Sequence, residues 1–357
     1  MSQSKLARKK NRFSIGQISY IIIFVVLFLV YYFVSGQLKW TGVTNILRHS
    51  AVVGVISLGM GLIVITGEID LSVGAILGCV SSFGCLLFNL MLLNGFSNTT
   101  TILLTILFCL AASTLLGFLN GAMVGYFKLP AFIVTLATQL LYRSVAQYVC
   151  RILPAELKGV SGNSFKMMMG EARDAMYNFG NGHILTLPIC GLIFVVIAVL
   201  LIYMTTSTKY GKRLYAVGSN SKAAHMAGVN VSRTRVSVFT LAGFLIGIGS
   251  VMWLCMQGNV DPATTGANNE MFAVAAVVLG GIAMSGGKGR IVGVIFGTLS
   301  YTVIDKIIAA LNVDSLINNA IKGLILIIAI VFQVGGPQLK ERYESYKARK
   351  AAMQPEK

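Results

Sequence analysis

Long apolar runs broken by short polar stretches dominate this chain, and a helix needs about 20 mostly apolar residues to cross a bilayer core of ~30 Å. Such runs lie near residues 14–34, 46–66, 71–93, 102–127, 131–150, 185–205, 236–256, 271–285, 291–310 and 316–333. The pattern predicts an all-α integral membrane protein with about ten transmembrane helices. The run at 271–285 is short and the one at 71–93 opens on polar residues. Either is expected to be broken or re-entrant, which a bundle accepts only where irregular backbone is shielded from lipid. The expected membrane domain spans 14–333, between polar tails at 1–13 and 334–357. Its longest polar connections are 150–184 and 206–235.

Composition agrees with the pattern. Apolar residues make up 55% of 357 positions and charged residues 11%, with a mean hydropathy of +0.77, whereas soluble domains carry about 25% charged residues. Basic residues orient the spans. With the N-terminus inside, 20 of the 29 lysines and arginines fall on the cytoplasmic side and five (Lys39, Arg151, Lys158, Lys166 and Arg173) outside, as the positive-inside rule requires. Both termini and 206–235 are thus expected in the cytoplasm and 150–184 outside. A net charge of +17 would suggest nucleic acid in a soluble protein. Here the bases flank spans, so the expected partner is anionic membrane lipid and no nucleic acid. The first apolar run follows a basic segment and lacks a small-residue cleavage pattern, so it is expected to stay as a signal anchor. The six cysteines lie in or beside apolar spans without CxxC spacing and read as packing residues. Neither a cofactor nor a metal is expected.

The candidate chemistry begins at 61–78, GLIVITGEIDLSVGAILG, where Glu68 and Asp70 interrupt two apolar segments. A carboxylate left in hydrocarbon costs several kcal/mol, so the pair is expected at a water-accessible turn or in an ion pair, with Lys288 or Arg290 as candidate partners. Shifted by 219 residues, 61–81 aligns with 280–300, matching Gly61/Gly280, Ile63/Ile282, Gly67/Gly286, Val73/Val292, Gly74/Gly293, Ile76/Ile295, Gly78/Gly297 and Ser81/Ser300. Both turns would lie on one side of the membrane, which makes a parallel internal repeat. Glycines four apart, Gly243/Gly247 and Gly293/Gly297, suit close helix packing.

The sequence GGKGR at 286–290 is not a phosphate-binding loop, since Ile282 stands where glycine is needed and Gly289 follows the lysine. The chain shows neither a nucleophile elbow nor an HExxH motif, so no enzymatic activity is expected of it. In 206–235 a short helix is expected near Ser221 to Ala227, stopped by Gly228. Rich in small residues, it could dock into a groove on another protein.

Four segments carry a resemblance: TNILRHSAVVGVISLGMGLIVITGEIDLSVG at 44–74, GFLNGAMVGYFKLPAFIVTLATQLLYRSVA at 117–146, AVGSNSKAAHMAGVNV at 216–231 and AAVVLGGIAMSGGKGRIVGVIFG at 275–297. In order, over residues 41–333, the chain resembles the permease subunits of bacterial ABC importers for ribose, xylose, arabinose and galactose. Glu68 stands where the family's first motif usually has a second glycine.

The resemblance implies one chain of a permease pair in the bacterial cytoplasmic membrane. A cytoplasmic ABC ATPase would drive it and an extracytoplasmic sugar-binding protein would deliver a monosaccharide. The family's ATPase-docking segment corresponds to Ser221, Lys222, Ala223, Ala224, Ala227 and Gly228. For the pathway or gate, the polar groups in or beside apolar spans are Glu68, Asp70, Ser72, Asn120, Thr135, Thr138 and Gln139. Nucleosides or other small polar solutes are the alternative cargo. An ion-coupled secondary transporter is the alternative mechanism, and Asp305 and Lys322 would be its intramembrane candidates.

Overall fold

The computed structural model describes residues 19–36 and 40–311, with scattered positions between 317 and 331. The two tails, Lys322 and most of the expected span at 316–333 lie outside the described residues. In chain order the elements are α1 (Ser19–Ser35), α2 (Trp40–Ile65), α3 (Val73–Leu93), α4 (Asn98–Gly125), α5 (Ala131–Ile152), α6 (Ala155–Lys158), β1 (Phe165–Lys166), α7 (Glu171–Asn181), β2 (His183–Ile184), β3 (Leu187–Pro188), α8 (Ile189–Ser207), α9 (Lys209–Ser219), α10 (Ser221–Met226), α11 (Val231–Gln257), β4 (Asn259–Val260), α12 (Asn269–Leu279) and α13 (Ile291–Ala310).

Among the described residues, α2, α3, α4, α8, α11 and α13 are long and apolar enough to cross a membrane. That is six helices, fewer than the ten expected. Helix α1 has 17 residues, α12 has 11, and the apolar character of α5 is diluted by Thr135, Thr138, Gln139, Arg143 and Arg151. Helix α2 occupies the centre, its side chains from Ala51 to Ile65 almost all buried. Helix α4 lies at the rim with Leu103, Leu107, Leu115 and Phe118 exposed. Such an apolar exterior fits hydrocarbon surroundings.

Helix ends follow local chemistry. The Ser97 side chain caps α4 by accepting from the Thr100 amide, Asn220 caps α10 by accepting from Ala223, and Asn230 caps α11 by accepting from Arg233. Small residues then set how near the helices come. A Cβ at Gly117 would lie 2.6 Å from the Phe239 carbonyl oxygen, and one at Gly243 would lie 2.5 Å from that of Ser113. Helices α4 and α11 therefore pack backbone to backbone. Gly293 and Gly297 play the same part in α13, against Gly280 and Ala276 of the α12 end.

Helix α12 is the broken span anticipated at 271–285. The chain leaves α11 through β4, and the irregular segment 261–268 then enters the bundle, placing the Thr265 carbonyl against Gly78 of α3. Arg143 holds this segment from α5, its guanidinium donating to the carbonyls of Ala263 (2.8 Å), Pro262 (3.2 Å) and Thr265 (3.3 Å). The long polar connections are also more structured than their composition suggested. Segment 150–184 folds into α6, β1, α7 and β2, and β1 pairs antiparallel with β4. Asn89 of α3 pins it, donating to the carbonyls of Leu157 and Lys166 and accepting from the Met168 amide. Segment 206–235 carries α9 ahead of the expected short helix.

Candidate functional site

The site forms at the end of the bundle that carries α9 and α10, where α2 stops. Thr66 and Gly67 turn their amides back onto Ile63 and Val64 at 2.9 Å each, and Gly67 takes φ +83°, a conformation that glycine adopts without the Cβ penalty. The chain then runs without regular structure to Asp70. One carboxylate oxygen of Asp70 accepts from the Ser72 amide (2.8 Å) and the Ser72 hydroxyl (2.6 Å). An Asx turn of this kind satisfies amide groups that the start of α3 would leave without partners.

The turn is tied to its neighbours by polar side chains. Asn120 of α4 donates to the Ser72 hydroxyl at 2.8 Å and accepts from the Tyr142 hydroxyl of α5 at 3.2 Å. Thr135 donates to Ala131 and reaches the Ile69 carbonyl at 3.5 Å, and Thr138 donates back to Thr135. Asp70, Ser72, Asn120, Thr135 and Thr138 are all buried. The structure thus brings five of the seven candidate pathway residues into one continuous network between the turn, α3, α4 and α5.

The remaining two point elsewhere. Gln139, one position beyond Thr138, faces α12 and donates to Glu270 at 3.1 Å. Glu68 pairs with Arg235 at the start of α11, 2.8 Å away. The expectation that Lys288 or Arg290 would pair with Glu68 is therefore corrected, because the entry of α11 packs closer to the Glu68 side chain than the second turn does. Burial raises the Glu68 pKa above the usual carboxylate value, while Arg235 opposes the rise. Burial also pushes the Asp70 carboxyl up to about 6, against the two Ser72 hydrogen bonds that favour its charged form.

The two aligned copies meet at this end of the molecule. A Cβ on Gly286, which takes φ +80°, would stand 2.8 Å from the Gly67 Cα, so the two glycines matched by the 219-residue shift are neighbours in space. The Gly287 amide donates to the Ile65 carbonyl at 2.8 Å. Helix α9 closes the junction. Tyr215 donates to the Gly289 carbonyl at 2.9 Å, Ser219 lies against Gly287, and Gly218 touches both Ile65 and Gly287.

Helix α10 follows as expected, from Ser221 to Met226, and Gly228 takes φ +82° after it. Lys222, Ala223, Ala227 and Gly228 are exposed and Ser221 is half-buried, whereas Ala224 is 5% exposed and turned into the chain's own packing.

Tyr142, Arg143, Arg235 and Glu270 were not singled out by the sequence reading. Tyr142 and Arg143 stand as polar groups within an apolar run, and Arg235 and Glu270 at the edges of two others, but partner identity was not legible. The six cysteines are buried thiols, and the described residues contain no cluster of His, Cys, Asp or Glu able to hold a metal ion.

The family described as branched-chain amino acid transport system / permease component matches residues 42–330. The chain is 33% identical over 310 residues to the ribose import permease protein of Bacillus subtilis, covering 87% of this chain and 89% of that one. It is 28% identical to the xylose transport system permease protein of Haemophilus influenzae, over 83% of this chain and 89% of the other. The autoinducer 2 import system permease protein of Escherichia coli is 31% identical, over 88% and 86%.

Proposed function

The chain belongs to the branched-chain amino acid transport system / permease component family, and from that membership we propose that it forms the membrane pathway of an ATP-driven importer for a monosaccharide. It is a multi-pass transport subunit of the ABC permease type and not an enzyme. The ribose and xylose permeases among its relatives support a sugar cargo. In this reading an extracytoplasmic binding protein delivers the sugar, a separate cytoplasmic ATPase supplies the work, and a second permease chain completes the pathway.

The observation that carries the mechanism is the junction at α9. Helix α10, which emerges at the surface, continues directly from a helix whose Tyr215, Gly218 and Ser219 rest on Ile65 and the 286–289 turn. Three residues beyond Gly67 the chain enters the Asp70–Ser72–Asn120–Tyr142 network. A push on α10 by a closing ATPase would therefore reach both turns through the close approach of Gly218 and Ser219 and the Tyr215 hydrogen bond, and the polar network through the short chain beyond Gly67. Packed junctions of this kind shift between discrete arrangements. The buried network is the gate in this proposal. Asn120, Thr135 and Thr138 would offer hydroxyl-binding groups once the gate opens, and Gln139 with Glu270 would line the neighbouring α5–α12 face.

The test targets α10. Ala223→Trp adds bulk to an exposed docking residue, and overfilling a packed contact costs typically 1–3 kcal/mol. The variant should insert and fold normally, yet lose ATPase co-purification and ATP-dependent uptake in proteoliposomes containing the ATPase and binding protein. Normal assembly and uptake by Ala223→Trp would refute the coupling role. Gradient-driven uptake by the chain alone would refute the ABC mechanism. Ala224→Trp is a poorer probe, because Ala224 is buried within the chain itself.

A further inference from the structure

A cavity of about 780 Å³ opens where the end of α4, one face of α10 and the first turns of α11 meet. Its side chains include Lys128, Lys222, His225, Arg233 and Arg235, with Tyr126 at its edge, and none of its lining residues is acidic. An adjoining cavity shares the rim from Gly228 to Asn230 and Arg233, adds Arg213, and is likewise free of acidic lining. Glu68 neutralises Arg235. Among the described residues, Lys128, Lys222 and Arg233 make no ion pair. Concentrating like charges around a concavity is unfavourable unless an anion fills it.

The surroundings say which kind of anion. Tyr126, Phe127, Leu129, Phe132 and Ile133 form an exposed apolar strip running from the cavity edge onto α5, with Phe127 73% exposed. Charge in the cavity and apolar surface beside it match a molecule with a phosphate at one end and hydrocarbon at the other. An acidic protein segment would use the first feature and leave the second unexplained. The volume lies within the roughly 300–1,000 Å³ usual for ligand sites.

We propose that this cavity binds the phosphodiester headgroup of an anionic phospholipid, held by Lys128, Lys222 and Arg233, with the acyl chains along the Phe127–Ile133 strip. Such a lipid would touch α10 through Lys222, leaving the exposed Ala223 and Met226, which do not line the cavity, free for a protein partner. Membrane composition would thereby act on the same short helix as the proposed ATPase contact.

The full chain should be reconstituted in nanodiscs of phosphatidylcholine with and without phosphatidylglycerol, and the lipid retained after extraction counted by native mass spectrometry. One phosphatidylglycerol per chain is expected to stay with the wild type in preference to phosphatidylcholine. Each base near a headgroup contributes about a fivefold effect, so Lys128→Gln with Arg233→Gln should weaken retention roughly 25-fold. Lys128→Gln alone should show a partial loss if the double variant folds poorly. Substituting Lys209 and Lys212, which line neither cavity, should change nothing. The proposal is overturned by wild-type retention without preference for the anionic lipid, or by equal loss in the Lys209/Lys212 pair. Displacement of the lipid by excess inorganic phosphate would assign the cavity to free phosphate and overturn it as well.

Discussion

Asp70 is a fully enclosed carboxyl whose partners come from Ser72, two residues away, and whose pKa burial lifts to about 6. A folded-state value above the unfolded value of 3.8 means that the native protein holds this proton longer than the unfolded chain does. The favourable contribution is then complete below about pH 4 and lost as pH rises through 6, a swing of about 3 kcal/mol. Asp70→Asn keeps an oxygen acceptor for Ser72 and removes the titration. Thermal melts of wild type and Asp70→Asn should nearly coincide at pH 4 and separate with rising pH, the variant being the more stable at pH 8. Parallel melts across that range would show that folding does not raise the Asp70 pKa. Uptake by Asp70→Asn should fall although the protein remains folded in the membrane. Undiminished transport would reduce Asp70 to a turn former. Asn120 shows the same dependence on a neighbour. Asn120→Ala leaves Ser72 and Tyr142 each short of a buried hydrogen bond, at about 1–3 kcal/mol per group, and should lower the melting temperature measurably.

At the scale of elements, the two turns depend on each other. Gly67 and Gly286 both take left-handed backbone, and the missing Cβ of Gly286 leaves room for Gly67. Gly286→Ala should therefore pay twice, about 1–2 kcal/mol for the conformation and about 1–3 kcal/mol for the encroachment on Gly67. Gly228 supplies the comparison. Its φ of +82° is nearly the same, but nothing lies within 4 Å of a Cβ there, so Gly228→Ala should show only the conformational cost. Equal losses in the two variants would mean that the Gly67–Gly286 contact contributes nothing. The alignment of 61–81 with 280–300 pointed to this pairing, and α3 and α13 begin within one position of the match. The first helix of each copy does not match, since α2 runs to Ile65 while α12 stops at Leu279. The second turn is longer and rich in left-handed glycines. Helix α9 rests on it, a contact that a comparison of the two copies alone could not reveal.

For the whole molecule, α10 and the Asn89-pinned cap at 153–168 sit at opposite ends of the bundle, and the basic residues argue that the α10 end is cytoplasmic. Single cysteines at the exposed positions 222 and 163, on a background with the six native thiols replaced, test this orientation. An impermeant maleimide should label position 163 in intact cells and position 222 only after permeabilisation. The reverse pattern would invert the topology. The all-α membrane class, most span positions, the short helix with its stop at Gly228, and the interrupted span near 271–285 were all legible in the sequence. Each rests on local information: an apolar length, a capping side chain, a glycine, or a shortfall of apolar residues. The pairing of Glu68 with Arg235, the contact of Gln139 with Glu270 from 131 positions away, and the seat of α9 on both turns were decided by tertiary structure. Polar groups buried in a bundle take whichever partner the packing brings within about 3 Å. That packing is set by close approaches such as Gly117 on Phe239, which no single run of sequence contains.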